Sequence, residues 1–229
     1  MKRAIFFVMA LVGLPLTSHA QGFNLSWNDC GLAGQSLATF ACNTNSGSQT
    51  LVVSYEPIAT MTNMIGVDVR IDIISESSPL PDWWMIFAAG SCRQGAFTAS
   101  ADAPGTLSCS DVWASPVGGI GTFYNYSNRG AVGIFFAMLQ PVRVDPGTEY
   151  YDCSLTIANT QTIGLGACAG CASTACLILS VVQLDGDNNT LQKIEMPRDR
   201  DTVFWQSGFL NCTTPNLRRT WGQIKSLYR

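Results

Sequence analysis

The clearest pattern in the chain is the alternation of apolar and polar residues that is typical of a β-strand with one buried face. It is strongest from Ile65 to Ile73, where branched apolar residues alternate with Asp68, Arg70 and Asp72. The same criterion, with Gly, Pro and Asp turn signals between the segments, predicts eight further strands. They cover residues 23–27, 37–41, 50–56, 84–88, 131–139, 149–158, 176–184 and 202–205.

Many short strands without a helical period between them predict an all-β fold. A sheet with one apolar face must cover that face with another layer, so we expect a two-sheet antiparallel β-sandwich of the Ig-like, cohesin-like or jelly-roll kind. Residues 21–212 are expected to form this single domain. Residues 110–128, rich in Gly, Tyr and Ser, lack a clear pattern and are interpreted as a long binding loop.

The beginning of the sequence has the layout of a signal peptide. Lys2 and Arg3 precede an apolar run over residues 4–16, and Ser18-His19-Ala20 supplies a small-residue cleavage site. We therefore expect residues 1–20 to be removed and the mature protein to be secreted to the cell exterior or surface. No second long apolar run follows, so no membrane span is expected in the mature chain.

The charge and histidine content of the chain exclude several kinds of partner and of catalytic or metal site. The net charge is −3 and the basic residues form no stripe, which argues against a nucleic-acid partner. The chain's single histidine, His19, lies within the expected signal peptide. Because His is the usual proton-transfer group and metal ligand near neutral pH, its loss excludes Ser-His-Asp and Cys-His catalysis and His-rich zinc sites. The kinds of chemistry that remain possible are catalysis by a pair of carboxylates, catalysis that uses a Lys or Tyr side chain, and binding of calcium by oxygen ligands.

All nine cysteines follow residue 20, as expected of a disulfide framework in an oxidising compartment. Proximity in sequence suggests Cys30 with Cys42 and Cys92 with Cys109. Cys153 is the expected free thiol, because it falls on the apolar face of an alternating strand. The cysteines expected in disulfides are Cys30, Cys42, Cys92, Cys109, Cys168, Cys171, Cys176 and Cys212.

Cys168 and Cys171 form a C-x-x-C motif, with Cys176 close behind. A zinc site would need a fourth soft ligand, and a thioredoxin-like motif would need a βαβ context that the pattern lacks. A structural disulfide loop is therefore favoured over a metal or redox site.

Several short strings together resemble an uncharacterised family of bacterial secreted proteins, over nearly the whole mature chain. The strings are WNDCG (27–31), LPDWW (80–84), GSCR (90–93), VDPGTEYY (144–151), GACAGC (166–171) and TWGQIKSLYR (220–229). The resemblance implies export and a shared fold, and it carries over no functional residue. A looser similarity, in strand count and compartment, is to cohesin-like and carbohydrate-binding sandwiches.

Aromatic residues beside an acid form the first candidate site. Exposed rings stack on sugars while a carboxylate binds hydroxyls, so these residues suggest a glycan ligand. In the alternative, one ring of each adjacent pair simply packs in the core. The candidate ligand-binding residues are Asp82, Trp83, Trp84, Trp113, Tyr124 and Tyr126.

A second candidate is a calcium loop. Asp185, Asp187 and Asn189 offer oxygen ligands at the first, third and fifth positions of such a loop. Thr190 stands where a Gly is needed and Met196 where a Glu is needed, so a polar hairpin turn is the alternative. No other cofactor is indicated.

The third candidate is a His-free hydrolase acting on glycans. It would need two carboxylates facing a cleft, one with a raised pKa. The available residues are Asp82, Asp111, Asp145 and Glu149.

Residues 213–229 are interpreted as a linker followed by a short basic and aromatic tail. Trp221, Ile224, Leu227 and Tyr228 recur at helical spacing beside Arg and Lys. This tail could dock on its own domain or on a neighbouring copy, and an open sheet edge offers a second route to self-association. The sequence thus favours a secreted, non-catalytic binding or cell-surface structural module, with an extracellular glycan or surface protein as partner, over the hydrolase.

Overall fold

The chain folds as a two-sheet β-sandwich, as the alternation predicted. The structure, a computed structural model, describes residues 21–86, 90–125, 129–206 and Cys212, and of residues 122–125 it describes the backbone alone. None of these residues forms a helix long and apolar enough to cross a bilayer. The strands are β1 (Gly22–Trp27), β2 (Leu37–Ala38), β3 (Ser48–Glu56), β4 (Met61–Ser75), β5 (Phe97–Ser100), β6 (Val117–Asn125), β7 (Arg129–Val144), β8 (Tyr150–Ala158), β9 (Ala175–Gly186), β10 (Leu191–Ile194) and β11 (Thr202–Trp205).

Sheet A has the strand order β1-β3-β8-β5, and sheet B the order β2-β11-β9-β4-β7-β6. β10 adds to sheet B as a hairpin partner of β9. All pairings are antiparallel except the short parallel contact between β11 and β2. Sheet B is built around the long strands β4, β7 and β9, and β4 contains the segment whose alternation is the strongest in the sequence.

Several segments differ from the prediction. The short strands β5 and β10 were not predicted, and β2 covers only Leu37–Ala38 of the expected 37–41. Residues 84–88 were expected to be a strand, but Asp82–Trp84 is a single 3-10 turn and residues 85–86 are irregular. Conversely, Val117–Asn125 lies inside the expected binding loop and is the edge strand β6. Its glycines broke the apolar alternation that would have revealed it, although its backbone pairs with β7 over nearly its whole length.

The core between the sheets ends in an aromatic cluster around Trp205. Its ring centroid lies 4.2 Å from that of Phe40, 5.3 Å from that of Trp84, 5.9 Å from that of Trp83 and 6.1 Å from that of Trp27. The four tryptophans are fully buried. Large rings bury much apolar area per residue, so this cluster fills the core between the two sheets at this place.

The eight cysteines predicted to pair are all in disulfides, but the suggested pairings are wrong. Cys30 does not bond Cys42, nor Cys92 Cys109, because the folding of the two sheets brings distant segments together instead. Cys168 and Cys171 bond different partners, so the C-x-x-C motif is neither a redox pair nor a zinc half-site. The disulfides are Cys30–Cys109, Cys42–Cys171, Cys92–Cys168 and Cys176–Cys212.

Cys153 is the free thiol, as predicted, and it is buried in the core. Burial raises its pKa well above the ordinary value, so the thiol stays protonated. An unreactive, apolar role follows.

Sheet A is also covered on its outer face. Val52 and Tyr151 point away from the main core, yet they are fully buried together with Cys30 under residues 101–113. The Cys30–Cys109 disulfide fastens this segment, here called the lid, to the start of the domain. The covered face leaves the outer side of sheet B as the larger exposed sheet surface.

Candidate functional site

The predicted aromatic platform is not formed by Trp83 and Trp84. Both indoles are fully buried beside Trp205, and the guanidinium of Arg93 lies 3.3 Å from the ring centroid of Trp83. The 3-10 turn directs both side chains inward, where a strand would have separated them onto opposite faces. The expectation that they stack on a ligand is therefore wrong.

Of the other predicted ligand-binding residues, the structure describes the side chains of Trp113 and Asp82. Trp113 is half-buried, and its indole N–H donates to the carbonyl of Asp152 at 2.6 Å, so it anchors the end of the lid. Asp82 is exposed at the start of its turn. The backbone of Tyr124 lies in β6, while its side chain and the whole of Tyr126 lie outside the described residues.

The predicted calcium residues belong to the β9–β10 hairpin. The Gly186 N–H donates to the carbonyl of Thr190 at 2.8 Å, which closes the turn. Asp187 accepts from the Asn63 side-chain amide at 2.6 Å, and Asp185 accepts from Gln183 at 3.0 Å. Asn189 adopts the left-handed conformation that Asn tolerates in turns (φ 57°).

This segment is therefore a polar hairpin turn, the alternative to the calcium loop. No group of three or more Asp, Glu, His or Cys side chains in the described part of the chain could hold a metal ion. Calcium at Asp185, Asp187 and Asn189 stays a prediction that the hairpin geometry does not support.

Glu149, one of the predicted hydrolase carboxylates, lies in a closed ionic network beside sheet A. Its Oε1 accepts from Asn24 at 2.8 Å and from Ser54 at 2.6 Å. Arg198 bridges Glu149 and the buried Glu56, at 3.3 Å and 3.2 Å. Arg198 thus ties Glu149 to Glu56 by charge-assisted contacts, and the network holds three chain segments together.

Asp145 and Asp111 also have local partners. Arg143 binds both oxygens of Asp145, at 2.7 and 2.8 Å, and this hydrogen bonding lowers the pKa of the carboxyl group. The exposed Asp111 accepts from the backbone N–H of Trp113 at 2.9 Å.

A carboxylate that the sequence did not single out has the most unusual environment. Asp152 is fully buried, and neither of its oxygens has a hydrogen-bond partner in the described chain. It lies at the irregularity where β8 passes Val53 and Ser54 of β3. Burial raises the pKa of Asp152 to about 7. No solvent reaches it, so it cannot meet a substrate.

Exposed apolar side chains interrupt the polar outer face of sheet B along β7. Val132, Ile134, Phe136 and Met138 fill the core, as the pleat requires. The residues between them should be polar, yet Phe135 is 48% exposed and Leu139 92% exposed. On the neighbouring strand Val117, 65% exposed, pairs with Ala137 and extends the apolar stripe to the sheet edge.

Glycines hollow this stripe into a groove. A shallow cavity of about 420 Å³ is lined by Asp68, Val69, Gly121, Gly133, Ile134 and Phe135, and we call it the outer-face groove. The Phe135 ring lies over Gly121, where an added Cβ would come within 3.0 Å of the ring. Gly133 leaves the middle of the floor without a side chain. The groove therefore has one aromatic wall and an exposed backbone floor.

The opposite side of the groove is acidic. Asp68 pairs in register with Phe135 on β7 and with Gln183 on β9. Desolvation raises the pKa of Asp68, and the nearby carboxyl group of Asp185 raises it further. Within the described residues neither acid has a Lys or Arg partner, because Arg70 on the same strand pairs with Asp72 at 3.2 Å. In the outer-face groove the apolar side at Phe135 thus faces the acidic side at Asp68 and Asp185, and no Lys or Arg of the described residues pairs with these acids.

β6 is the last strand of sheet B, and among the described strands it pairs with β7 alone. This is an open edge of the kind that self-association would use. The other predicted docking element, with Trp221, Ile224, Leu227 and Tyr228, lies outside the described residues, as does the rest of residues 213–229.

Sequence reasoning missed the groove, although a signal for it was present. Residues 131–139 are apolar at nearly every position, whereas a strand with one wet face should alternate. The run predicts a strand, and its second apolar face indicates a binding surface or a further layer on the outer side of the sheet.

No protein-family model matches the chain, and no curated protein is similar to it in sequence. Among solved structures, it is similar to the cohesin module of a family 33 glycoside hydrolase from Clostridium perfringens. The match has a TM-score of 0.41 and 6% sequence identity, and it covers 81% of this chain and 97% of the module. A functional assignment therefore has to come from the residues of this chain.

Proposed function

We propose that the chain is an exported, non-catalytic binding module that recognises a protein segment through the outer-face groove. The observation that carries this proposal is the exposed Phe135, which stands beside a glycine floor on an otherwise well-packed sandwich. Apolar patches rimmed by polar groups mark interaction sites on soluble proteins. The four disulfides support the exported location, since such bonds persist in oxidising compartments.

The lining favours a particular kind of segment. The ring of Phe135 and the bare backbone at Gly121 and Gly133 accept an aromatic or aliphatic side chain. Asp68 and Asp185 favour a neighbouring Lys or Arg, which would relieve the repulsion between the two carboxyl groups. The preferred segment is therefore an apolar residue next to a basic one.

A protein ligand is favoured over a glycan by the surroundings of the groove. The groove offers one aromatic ring for stacking, that of Phe135, while Trp83 and Trp84, which would have supplied further stacking, are buried. The open edge of β6 lies beside the groove and offers backbone donors and acceptors to an extended chain.

A non-catalytic role is favoured over hydrolysis because of how the candidate carboxylates are placed. Glu149 and Asp145 are held by arginines, while Asp152, whose pKa is raised to about 7, is sealed from solvent. A glycosidase needs its raised-pKa acid in an open cleft.

Selection of a random peptide phage library on the mature chain tests the proposal. Enriched peptides are expected to pair an aromatic or aliphatic residue with Lys or Arg. Phe135→Ala should weaken their binding about tenfold or more, because a central aromatic anchor contributes most of the affinity at such a site.

Ile163→Ala is the matched control. The side chain of Ile163 is 43% exposed, nearly the same fraction as that of Phe135, but it lies in the loop after β8 and not in the groove. Equal binding to Phe135→Ala and to wild type would contradict the proposal. Retention of the mature chain on a glycan array, unchanged by Phe135→Ala, would instead favour a sugar-binding site elsewhere.

A further inference from the structure

The Cys176–Cys212 disulfide fixes where the chain leaves the domain. Leu177 and Leu179 of β9 belong to the main core, whereas Cys176 and Ile178 alternate with them and therefore face outward. Cys176 pairs in register with Ile74 of β4, at one end of sheet B. Cys212 is bonded to it, so residues 213–229 start on the same face of sheet B that carries the outer-face groove.

The segment is long enough to reach the groove. From Cys176 to Gln183, which pairs with Asp68, the strand advances about seven residues, or about 23 Å. The groove lies one to two strands to the side, about 5–10 Å. The roughly nine residues from Cys212 to Trp221 span up to about 30 Å when extended.

Its composition complements the groove. Residues 213–229 contain Arg218, Arg219, Lys225 and Arg229 and no acidic residue. Among these basic residues lie the apolar Trp221, Ile224, Leu227 and Tyr228. This is the combination of apolar and cationic side chains that Phe135, Asp68 and Asp185 favour.

We propose that residues 213–229 occupy the outer-face groove of their own chain, with Trp221 against Phe135 and basic side chains beside Asp68 and Asp185. The inference rests on the proposed function of the groove and names its first occupant. The same chain is favoured over a second copy because a short tether gives an effective concentration in the millimolar range. A heterologous contact between copies would also continue into an open filament unless it closed into a ring.

Limited trypsin digestion of the mature chain, followed by mass spectrometry, tests this inference. Trypsin cleaves after Arg219 and Lys225, and a docked segment is protected in proportion to the time it spends bound. Phe135→Asp, which places a charge against the apolar side of the segment, should speed cleavage after Lys225 about tenfold. Ile163→Asp introduces the same change on a distant exposed side chain and should leave the rate unchanged.

Trp221→Ala supplies a second test that changes none of the described residues of the sandwich, and it should speed cleavage after Lys225 to a similar extent. Wild-type cleavage as fast as that of Phe135→Asp and Trp221→Ala would overturn the proposal. Protection should also persist over about a hundredfold dilution, with a monomeric mass in light scattering. Protection lost on dilution would assign the segment to the groove of a second copy and overturn the same-chain assignment.

The two proposals can fail separately. If the groove selects Phe135-dependent peptides while residues 213–229 are cleaved without protection, only the occupant is wrong. If peptide selection is also insensitive to Phe135, the groove is not a binding site. If both hold, Trp221→Ala should increase the affinity for selected peptides, because they no longer compete with the chain's own segment.

Discussion

Asp152 combines full burial with two carboxylate oxygens that lack partners in the described chain, and it borders the hydroxyl of Tyr55, which is also buried without a partner. A buried charge without a partner is costly, so the side chain takes a proton where an ordinary carboxyl group would not. Its pKa is raised to about 7 from 3.8. The folded state therefore binds a proton that the unfolded state has already lost across this interval.

This linkage predicts a pH-dependent stability. Between about pH 4 and pH 7 the unfolded chain is ionised at Asp152 while the folded chain is not, so the free energy of unfolding should fall as the pH rises. Asp152→Asn cannot ionise and should remove this fall. Relative to wild type it should gain up to about 4 kcal/mol at about pH 8 and little at about pH 4.

Urea denaturation of both proteins across this range measures the difference, with the exposed Asp102→Asn as the control. Parallel pH profiles for wild type and Asp152→Asn would contradict the burial of an unpartnered carboxyl group. No local sequence pattern marks Asp152, because its burial follows from the irregular register of β8 against β3.

At the scale of the strands, a strand could be predicted from the sequence where its apolar side chains form a recognisable pattern. β3, β4, β8 and β9 show apolar alternation or an apolar run, and the sequence placed them to within a few residues. β6 could not be found in this way, since glycines occupy the positions where apolar side chains would have shown the period. Its existence depends on hydrogen bonds to β7, which are formed by the backbone and leave no trace in composition.

The same glycines make a prediction about the groove. An added Cβ at Gly121 would lie 3.0 Å from the Phe135 ring, so Gly121→Ala should displace the ring from its place on the groove wall. Binding of the selected peptides should weaken several-fold, while the free energy of unfolding should change by less than about 1 kcal/mol because the ring is exposed and can move.

A double-mutant cycle separates this effect from a general change in the strand. In the Phe135→Ala background, Gly121→Ala should cause no further loss of affinity, as calorimetry of the four proteins would show. Additive losses would mean that Gly121 does not act through the ring.

For the whole molecule, the cysteine count gave the number of disulfides but not their partners, since Cys30 is close to Cys42 in sequence and bonded to Cys109 in space. Two of the conspicuous motif strings, WNDCG and LPDWW, contribute side chains to the core. Trp27, Trp83 and Trp84 surround Trp205, whose indole N–H donates to the carbonyl of Cys171 at 2.7 Å. The groove, in contrast, lies outside all of these strings. Unusual residue types thus marked the core, while the candidate site is made of glycine, one phenylalanine and an aspartate.

The disulfides are expected to differ in how much of the fold each one stabilises. Cys30–Cys109 fastens the lid, which covers a small apolar cluster on sheet A and reaches the main core at its ends, through Ala101, Val112 and Trp113. Replacing both cysteines with serine should expose residues 101–113 to hydrogen exchange while β4 and β7 keep their protection.

Replacing Cys42 and Cys171 with serine should instead destabilise every strand. This bond joins residues 129 positions apart and packs against the Trp205 cluster, so its loss should lower the free energy of unfolding by about 5 kcal/mol in the chain-entropy model. Hydrogen exchange on both variants distinguishes the two cases. Uniform deprotection in the Cys30/Cys109 variant would show that the lid and sandwich unfold as one unit.

The order of the disulfide partners along the chain has a consequence for making the protein. In the proposed export the amino end of the chain leads, so Cys30 and Cys42 become available to each other long before Cys109 or Cys171 appears. Oxidation in order of emergence would therefore join the wrong thiols, and native protein requires their later exchange. A host with a strong oxidase but no disulfide isomerase is expected to accumulate scrambled chains, whereas added isomerase should restore the yield.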